Sequence, residues 1–106
     1  MHDLKWSDSE KKLSRQVFQA AVSAELAETI ADFKRRAAAV AAPDEMWALE
    51  EFLRTRRIDI DRKYDYRYSQ LIFVFGHLLR EKRIREADLV GLSDDKLELI
   101  RRVAGL

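Results

Sequence analysis

The chain has 106 residues, enough for one domain (1–106) near the lower size limit of chains that fold without disulfides or metals. It contains no cysteine, which excludes disulfides and thiolate zinc sites and predicts a reducing, cytoplasmic setting. Twenty Lys and Arg against nineteen Asp and Glu leave a net charge of +1, which argues against a general polyanion binder.

No apolar run approaches the ~18 residues of a membrane span, and Met1-His2-Asp3-Leu4-Lys5 lacks the apolar centre of a signal peptide. Three glycines and one proline leave few turns. Few turns in a short chain rich in apolar and charged residues predict long helices with solvated faces.

The first helix opens at Ser7-Asp8-Ser9-Glu10, a capping box in which Ser7 and Glu10 each satisfy a free backbone donor. No Gly or Pro then interrupts the chain before Pro43. Phe18, Val22, Leu26, Ile30, Phe33, Ala37 and Val40 form one apolar stripe, with a stripe of smaller residues from Val17 through Ala20, Ala24 and Ala31 beside it. From Asp8 to Ala41, about 34 residues at ~1.5 Å each make a rod of about 50 Å. A compact chain of this length is only about 33 Å across. The rod overshoots its own domain, and a second copy is the simplest cover for its far end. This predicts a homodimer over residues 8–41, with Phe18, Val22, Leu26, Ile30 and Phe33 shared between intramolecular and intermolecular packing.

Pro43 suits the first position of a second helix, and Asp44 and Glu45 complement its dipole. Met46, Leu49, Phe52, Leu53 and Arg56 then share a face. Beyond Arg57 the residues support two readings. Ile58, Ile60, Tyr64, Tyr66 and Tyr68 alternate with polar residues as in a strand, and Leu71-Ile72-Phe73-Val74-Phe75 is β-prone. Tyr68, Leu71, Ile72, Phe75, Leu78 and Leu79 equally fit a helical face. In the tail, Arg85 to Val90 predicts a short helical turn ending at Gly91. Ser93 caps a last helix with Asp94-Asp95 in its first turn, Arg101-Arg102 in its last, and Leu97, Ile100 and Val103 on its buried face.

Chemistry finds little footing in these residues. His2 stands at the terminus and His77 beside the Phe-rich segment, where a packing or surface role is the simpler account. The carboxylates of Glu50-Glu51 diverge on a helix, so they form no shared acid site, and Asp59 and Asp61 are read in the same way. There is no phosphate-binding glycine loop, no metal-spaced cluster and no cofactor motif. A non-enzymatic binding protein is expected. Arg54, Arg56, Arg57, Arg62, Lys63 and Arg67, with Tyr64, Tyr66 and Tyr68, leave a helical nucleic-acid-binding or toxin-antitoxin-like dimer as an alternative. Glu50, Glu51, Asp59, Asp61 and Asp65 are interleaved within a turn of those bases, which favours internal pairing.

The most particular stretch runs from Trp47 to Leu79. It comprises Trp47, Leu49, Glu50-Glu51, Phe52-Leu53, Arg56-Arg57, Ile60-Asp61, Lys63-Tyr64-Asp65, Arg67, Ile72-Phe73-Val74-Phe75 and Leu78-Leu79. This order resembles the fluorescence recovery protein family of cyanobacteria, small helical factors that switch off photoprotection by the orange carotenoid protein. Trp6-Ser7 and the closing leucine near Ala104 are also similar.

The resemblance implies an all-α protomer, a long N-terminal helix plus shorter helices, paired as an elongated antiparallel homodimer or a tetramer built from it. It decides for helix over Ile58 to Leu79. It implies no cofactor, and as partner the C-terminal domain of the light-activated orange carotenoid protein. The family speeds that protein's return to the inactive form and promotes its release from the phycobilisome. The interface tryptophan corresponds to Trp47, the arginine central to activity to Arg57, and an aromatic of the apolar run to Phe73. Glu50-Glu51 stand where the family has a His-Asp pair, and Leu99 where it has a lysine. Partner-binding residues are therefore expected at Trp47, Glu50, Glu51, Arg57 and Phe73. Arg57 should be exposed near Trp47 and held by Asp61, with Glu50 or Glu51 on Arg54. Relatives of this family also occur in bacteria without the carotenoid protein, so a paralogue with another protein partner is the alternative.

Overall fold

The computed structural model describes residues 4–106; the chain start, including His2, lies outside the described residues. Four α-helices and a single 3₁₀ turn follow one another, and no strand forms among the described residues. Helix α1 spans Asp8–Ala38. Ser7 accepts from the Glu10 N–H at 3.2 Å and Glu10 Oε1 accepts from the Ser7 N–H at 3.0 Å, which completes the capping box. The helix stops short of the expected Ala41. Ala42 is extended (φ −129°, ψ 155°), as a residue before proline prefers, and the chain leaves the helix over Ala39–Ala42 to reach it.

Helix α2, Pro43–Lys63, begins with Pro43 in its first turn and runs back along α1. The two helices form an arm. Along it Phe52 lies beneath the guanidinium groups of Arg36 and Arg56, at 4.1 and 5.2 Å from the ring centre. Of the 21 residues of α2 only Ile60 is buried.

The helix expected over Ile58 to Leu79 is broken. After Lys63 the chain leaves the helix over Tyr64–Arg67, where the Arg67 N–H donates to the Asp65 carbonyl at 2.9 Å, and turns before α3, Leu71–Arg80. Helical residues two apart point about 200° apart, so Tyr66 would face away from Tyr64 and Tyr68. The non-helical segment instead lays all three rings toward α1. Phe18 meets Tyr66 edge-on at 4.8 Å and Tyr64 at 5.5 Å, Tyr66 meets Tyr68 at 5.8 Å, and Tyr68 meets Trp6 at 5.8 Å. The strand-like alternation is thus used without a sheet.

The 3₁₀ turn, Glu86–Leu89, and α4, Asp94–Ala104, complete a head built on the first half of α1. Ser93 caps α4 by accepting from the Lys96 N–H. Leu71, Ile72, Phe75, Leu78, Leu89 and Ile100 are fully buried there with Val17, Phe18 and Ala21 of α1. Phe18, expected to be shared with a second copy, therefore belongs to the core of its own protomer. The molecule measures 53 × 25 × 22 Å with a radius of gyration of 16.8 Å, against about 13 Å for a compact chain of this size. The overshoot is real, and the arm is what overshoots.

Candidate functional site

Helix α2 turns an unpartnered face outward. At 100° per residue, Trp47, Glu51, Arg54 and Ile58 line one stripe, with Glu50, Arg57 and Asp61 along its flank. Trp47 is 60% exposed, and Met46 and Ile58 also lie open beside the charged groups. Arg54 is ion-paired with Glu51. Its hydrogen bond to Glu51, then the charge of that carboxylate, raise the guanidinium above its ordinary value. Arg57 Nε lies 3.9 Å from Asp61 Oδ2, the expected i, i+4 partner, with 85% of its side chain exposed. An ion pair this exposed adds little to stability and leaves most of the fork's donors free.

Beneath Arg57 a groove of about 400 Å³ opens between the helices. Leu26, Leu53 and Ile60 supply its apolar lining, and Thr29, Arg56, Arg57 and Asp61 its polar one. On its far side Asp32 anchors Arg35 at 2.7 Å and Arg56 at 3.8 Å. The Arg35 hydrogen bond, followed by the charges of Arg35 and Arg56, holds the Asp32 carboxyl below the usual range. Leu26, Ile30 and Phe33 continue as exposed apolar residues along α1. Val22 is half-buried against the head core.

Charge is segregated along α2. Its first half carries Asp44, Glu45, Glu50 and Glu51, and its second half Arg54, Arg56, Arg57, Arg62 and Lys63, with Asp59 and Asp61 among them.

The five residues expected to bind a partner do not converge. Trp47, Glu50, Glu51 and Arg57 share the arm, with Trp47 and Arg57 about 15 Å apart along the helix axis. Phe73 is an exposed ring on α3 in the head. Lys63, at the end of α2, is pinned to Glu25 at 2.8 Å, and Trp47 lies about 24 Å further along α2 from that point. Leu99 is half-buried against the head core. His77 lines a shallow groove with Asp59, Arg62, Lys63 and Glu81.

Two buried ionic clusters escaped the sequence reading. Glu25 accepts from Lys63 Nζ and from the Tyr64 hydroxyl, both at 2.8 Å, and Arg83 Nε lies 3.1 Å away. Burial alone would raise its carboxyl, but bonds from Lys63 and Tyr64 and the charges of Lys63 and Arg83 outweigh that and depress it. Burial first, then the bond to Glu25, push the Tyr64 phenol far up. Glu10 holds Lys96 Nζ at 3.2 Å and accepts from the Ser93 N–H at 2.9 Å, while Lys96 Nζ also donates to the Lys5 carbonyl at 2.6 Å. A signal existed for Glu25, which recurs at helical spacing from the core residues Phe18 and Ala21.

Known proteins share this fold. Residues 6–104 match the family model described as photoprotection regulator fluorescence recovery protein. The fluorescence recovery protein of Synechocystis sp. is 36% identical over 101 residues, 95% of this chain and 93% of that protein. The structure of the Fremyella diplosiphon fluorescence recovery protein superposes with a TM-score of 0.91 at 35% identity, over 96% of this chain and all of that one. The structure from Synechocystis sp. PCC 6803 gives the same TM-score, identity and coverage. Matched over nearly its whole length in sequence and in helical architecture, the chain belongs to the family of photoprotection regulators called fluorescence recovery proteins.

Proposed function

We propose that this photoprotection regulator binds the C-terminal domain of the photoactivated orange carotenoid protein and accelerates its return to the inactive form. It acts by binding, without chemistry and without a cofactor. The observation that carries this reading is the open face of α2, where Trp47 and Arg57 stand exposed on a rigid helix. Trp and Arg are the side chains most enriched at interaction hot spots. A guanidinium held loosely by Asp61 presents spare donors to a partner's carbonyls or carboxylates, which an ammonium does not reproduce. Glu50 and Glu51 flank it, and Phe73 offers a second contact on the head. A binding factor shifts a partner's conformational balance only through differential affinity, so it must hold the path back to the compact form better than the open form.

The working unit in this proposal is an antiparallel homodimer paired through the arms. Leu26, Ile30 and Phe33 lie exposed on a helix whose own head does not reach them. Antiparallel pairing would set the acidic half of one α2 against the basic half of the other, whereas parallel pairing would oppose like charges.

The test is the red-to-orange relaxation of the carotenoid protein followed by absorbance. The chain should accelerate it, and Arg57→Leu should abolish the acceleration while leaving the helical signal and the dimer mass unchanged. Failure of the unaltered chain both to bind and to accelerate would overturn the reading. Glu50 and Leu99, standing where the family resemblance places a histidine and a lysine, favour in that event a paralogue with another protein partner. Glu50→His should strengthen whatever acceleration the unaltered chain shows.

A further inference from the structure

Cations are distributed unevenly over the head. Beyond α1's first turns most are in ion pairs, including Lys63, Arg67, Arg83, Lys96 and Arg101. Among the described residues, none of Lys5, Lys11, Lys12 and Arg15 lies within 4.0 Å of a carboxylate. The acids nearest in sequence or space are occupied elsewhere: buried Glu10 by Lys96, and Asp65 by Arg67. Asp8, among the described residues, is an exposed acid left beside them. Lys11 and Lys12 also follow the first turn of α1, an end of the helix where its dipole disfavours positive charge. Ion pairing does not account for this cluster.

What the cations face is the row of rings laid down by the segment between α2 and α3. The Arg15 guanidinium stacks 4.1 Å from the centre of Tyr66, and Lys11 Nζ stands 5.4 Å from that of Tyr68. Tyr66 is backed by Phe18 and so cannot retreat, and its hydroxyl reaches the Lys11 carbonyl at 3.4 Å. Tyr68 remains 37% exposed. The result is a short aromatic shelf edged by two fixed cations, with Lys12 beside them. It lies on the head, apart from the arm face and independent of the reading given to that face.

We infer that this shelf is a docking surface for an acidic segment of a protein partner. Two or three carboxylates would meet Lys11, Lys12 and Arg15, and an apolar or aromatic side chain between them would lie on Tyr68. The extent of the charge sets the class. A nucleic-acid strand needs a positive groove that continues along its backbone. Here Lys11, Lys12 and Arg15 fall within the opening turns of α1 and do not continue as a groove, and the chain as a whole carries only +1.

Trp6 sits at the end of the row of rings, 5.8 Å from Tyr68, and reports on it. With Trp47→Phe, Trp6 is the sole indole of the full chain, which holds two tryptophans. Titration with an oligoglutamate peptide should give a saturable change in Trp6 emission that weakens as salt is raised. Lys11→Glu with Arg15→Glu should weaken it about tenfold or more, as reversal of two charge contacts requires. Lys11→Gln with Arg15→Gln, which adds no repulsion, should weaken it less but measurably. Lys34→Glu with Lys82→Glu changes the net charge equally and should leave it unaltered. No saturable change, or equal losses in the Lys34/Lys82 pair, would overturn the proposal. Tighter binding of oligothymidylate than of oligoglutamate would overturn it in favour of a nucleic-acid surface.

Discussion

Lys63 Nζ stands 2.8 Å from Glu25 Oε2, joining the last residue of α2 to the middle of α1 across a buried carboxylate. Tyr64 and Arg83 close on the same group, so one side chain gathers the end of the arm, the start of the segment that follows it and the turn after α3. Removing one member of a buried charge cluster leaves the others unpaired. Glu25→Ala should lower stability by about 2–4 kcal/mol in urea unfolding. Glu28→Ala, which deletes an exposed partner of Arg83, should cost about 1 kcal/mol or less. Equal losses would show that Glu25 has no special part in joining head and arm.

The same carboxylates make stability depend on acid. Glu25 and Glu10 are both held below the ordinary range; burial pushes each up, but for Glu10 the Ser7 and Ser93 N–H groups and Lys96 prevail, as Lys63 and Tyr64 do for Glu25. A carboxyl depressed in the folded state contributes stability that is present above its unfolded pKa and lost as pH falls through the folded one. The melting temperature should therefore decline once the pH drops below about 4.3. Glu10→Gln with Glu25→Gln should start lower at neutral pH and show a flatter decline, measured by thermal unfolding across that range.

Gly76 lets α3 and α4 approach more closely than any side chain would allow. A Cβ on Gly76 would sit 2.5 Å from Val103 Cβ and closer still to its Cγ1. Alanine is the better helix former by about 1 kcal/mol, but overpacking a filled core typically costs about 1–3 kcal/mol or more. Gly76→Ala should lower the melting temperature by roughly 5–15 °C, and adding Val103→Ala should restore part of the loss by reopening the space.

Exposure separates residues available for pairing from residues already used. Leu26 and Ile30 are 45% and 55% exposed, whereas Phe18 is 6% exposed. Leu26→Glu and Ile30→Glu should each give a folded monomer by sedimentation and circular dichroism, because the charge meets water once the partner leaves. Phe18→Glu should unfold the head, since burying an unpaired carboxylate there costs several kcal/mol. A dimer that survives both arm changes would refute pairing through this face.

The starts of α1, α2 and α4 and the elongation were legible in the sequence. The Ser7–Glu10 box, Pro43 at the start of α2 and Ser93 before α4 are contacts within a few residues, so local chemistry determines them wherever the rest of the chain lies. The overshoot followed from counting residues without a breaker against the size of a compact domain. Of the surface, the exposure of Arg57 and its spacing to Asp61 followed once α2 was recognised, whereas Trp47, four residues after Pro43, could equally have been core on its residues alone. Tertiary structure decided the rest. Tyr64, Tyr66 and Tyr68 support strand and helix equally until Phe18 of α1 is brought against them, and their rings then share one side only because the chain leaves the helix there. Glu25 and Lys96 look like solvated charges until partners 38 and 86 residues away in sequence surround them. Phe18 and Leu26 stand on one stripe, yet the head covers the first and leaves the second bare. Which apolar face becomes core depends on what the remaining chain is long enough to cover, and no local pattern contains that information.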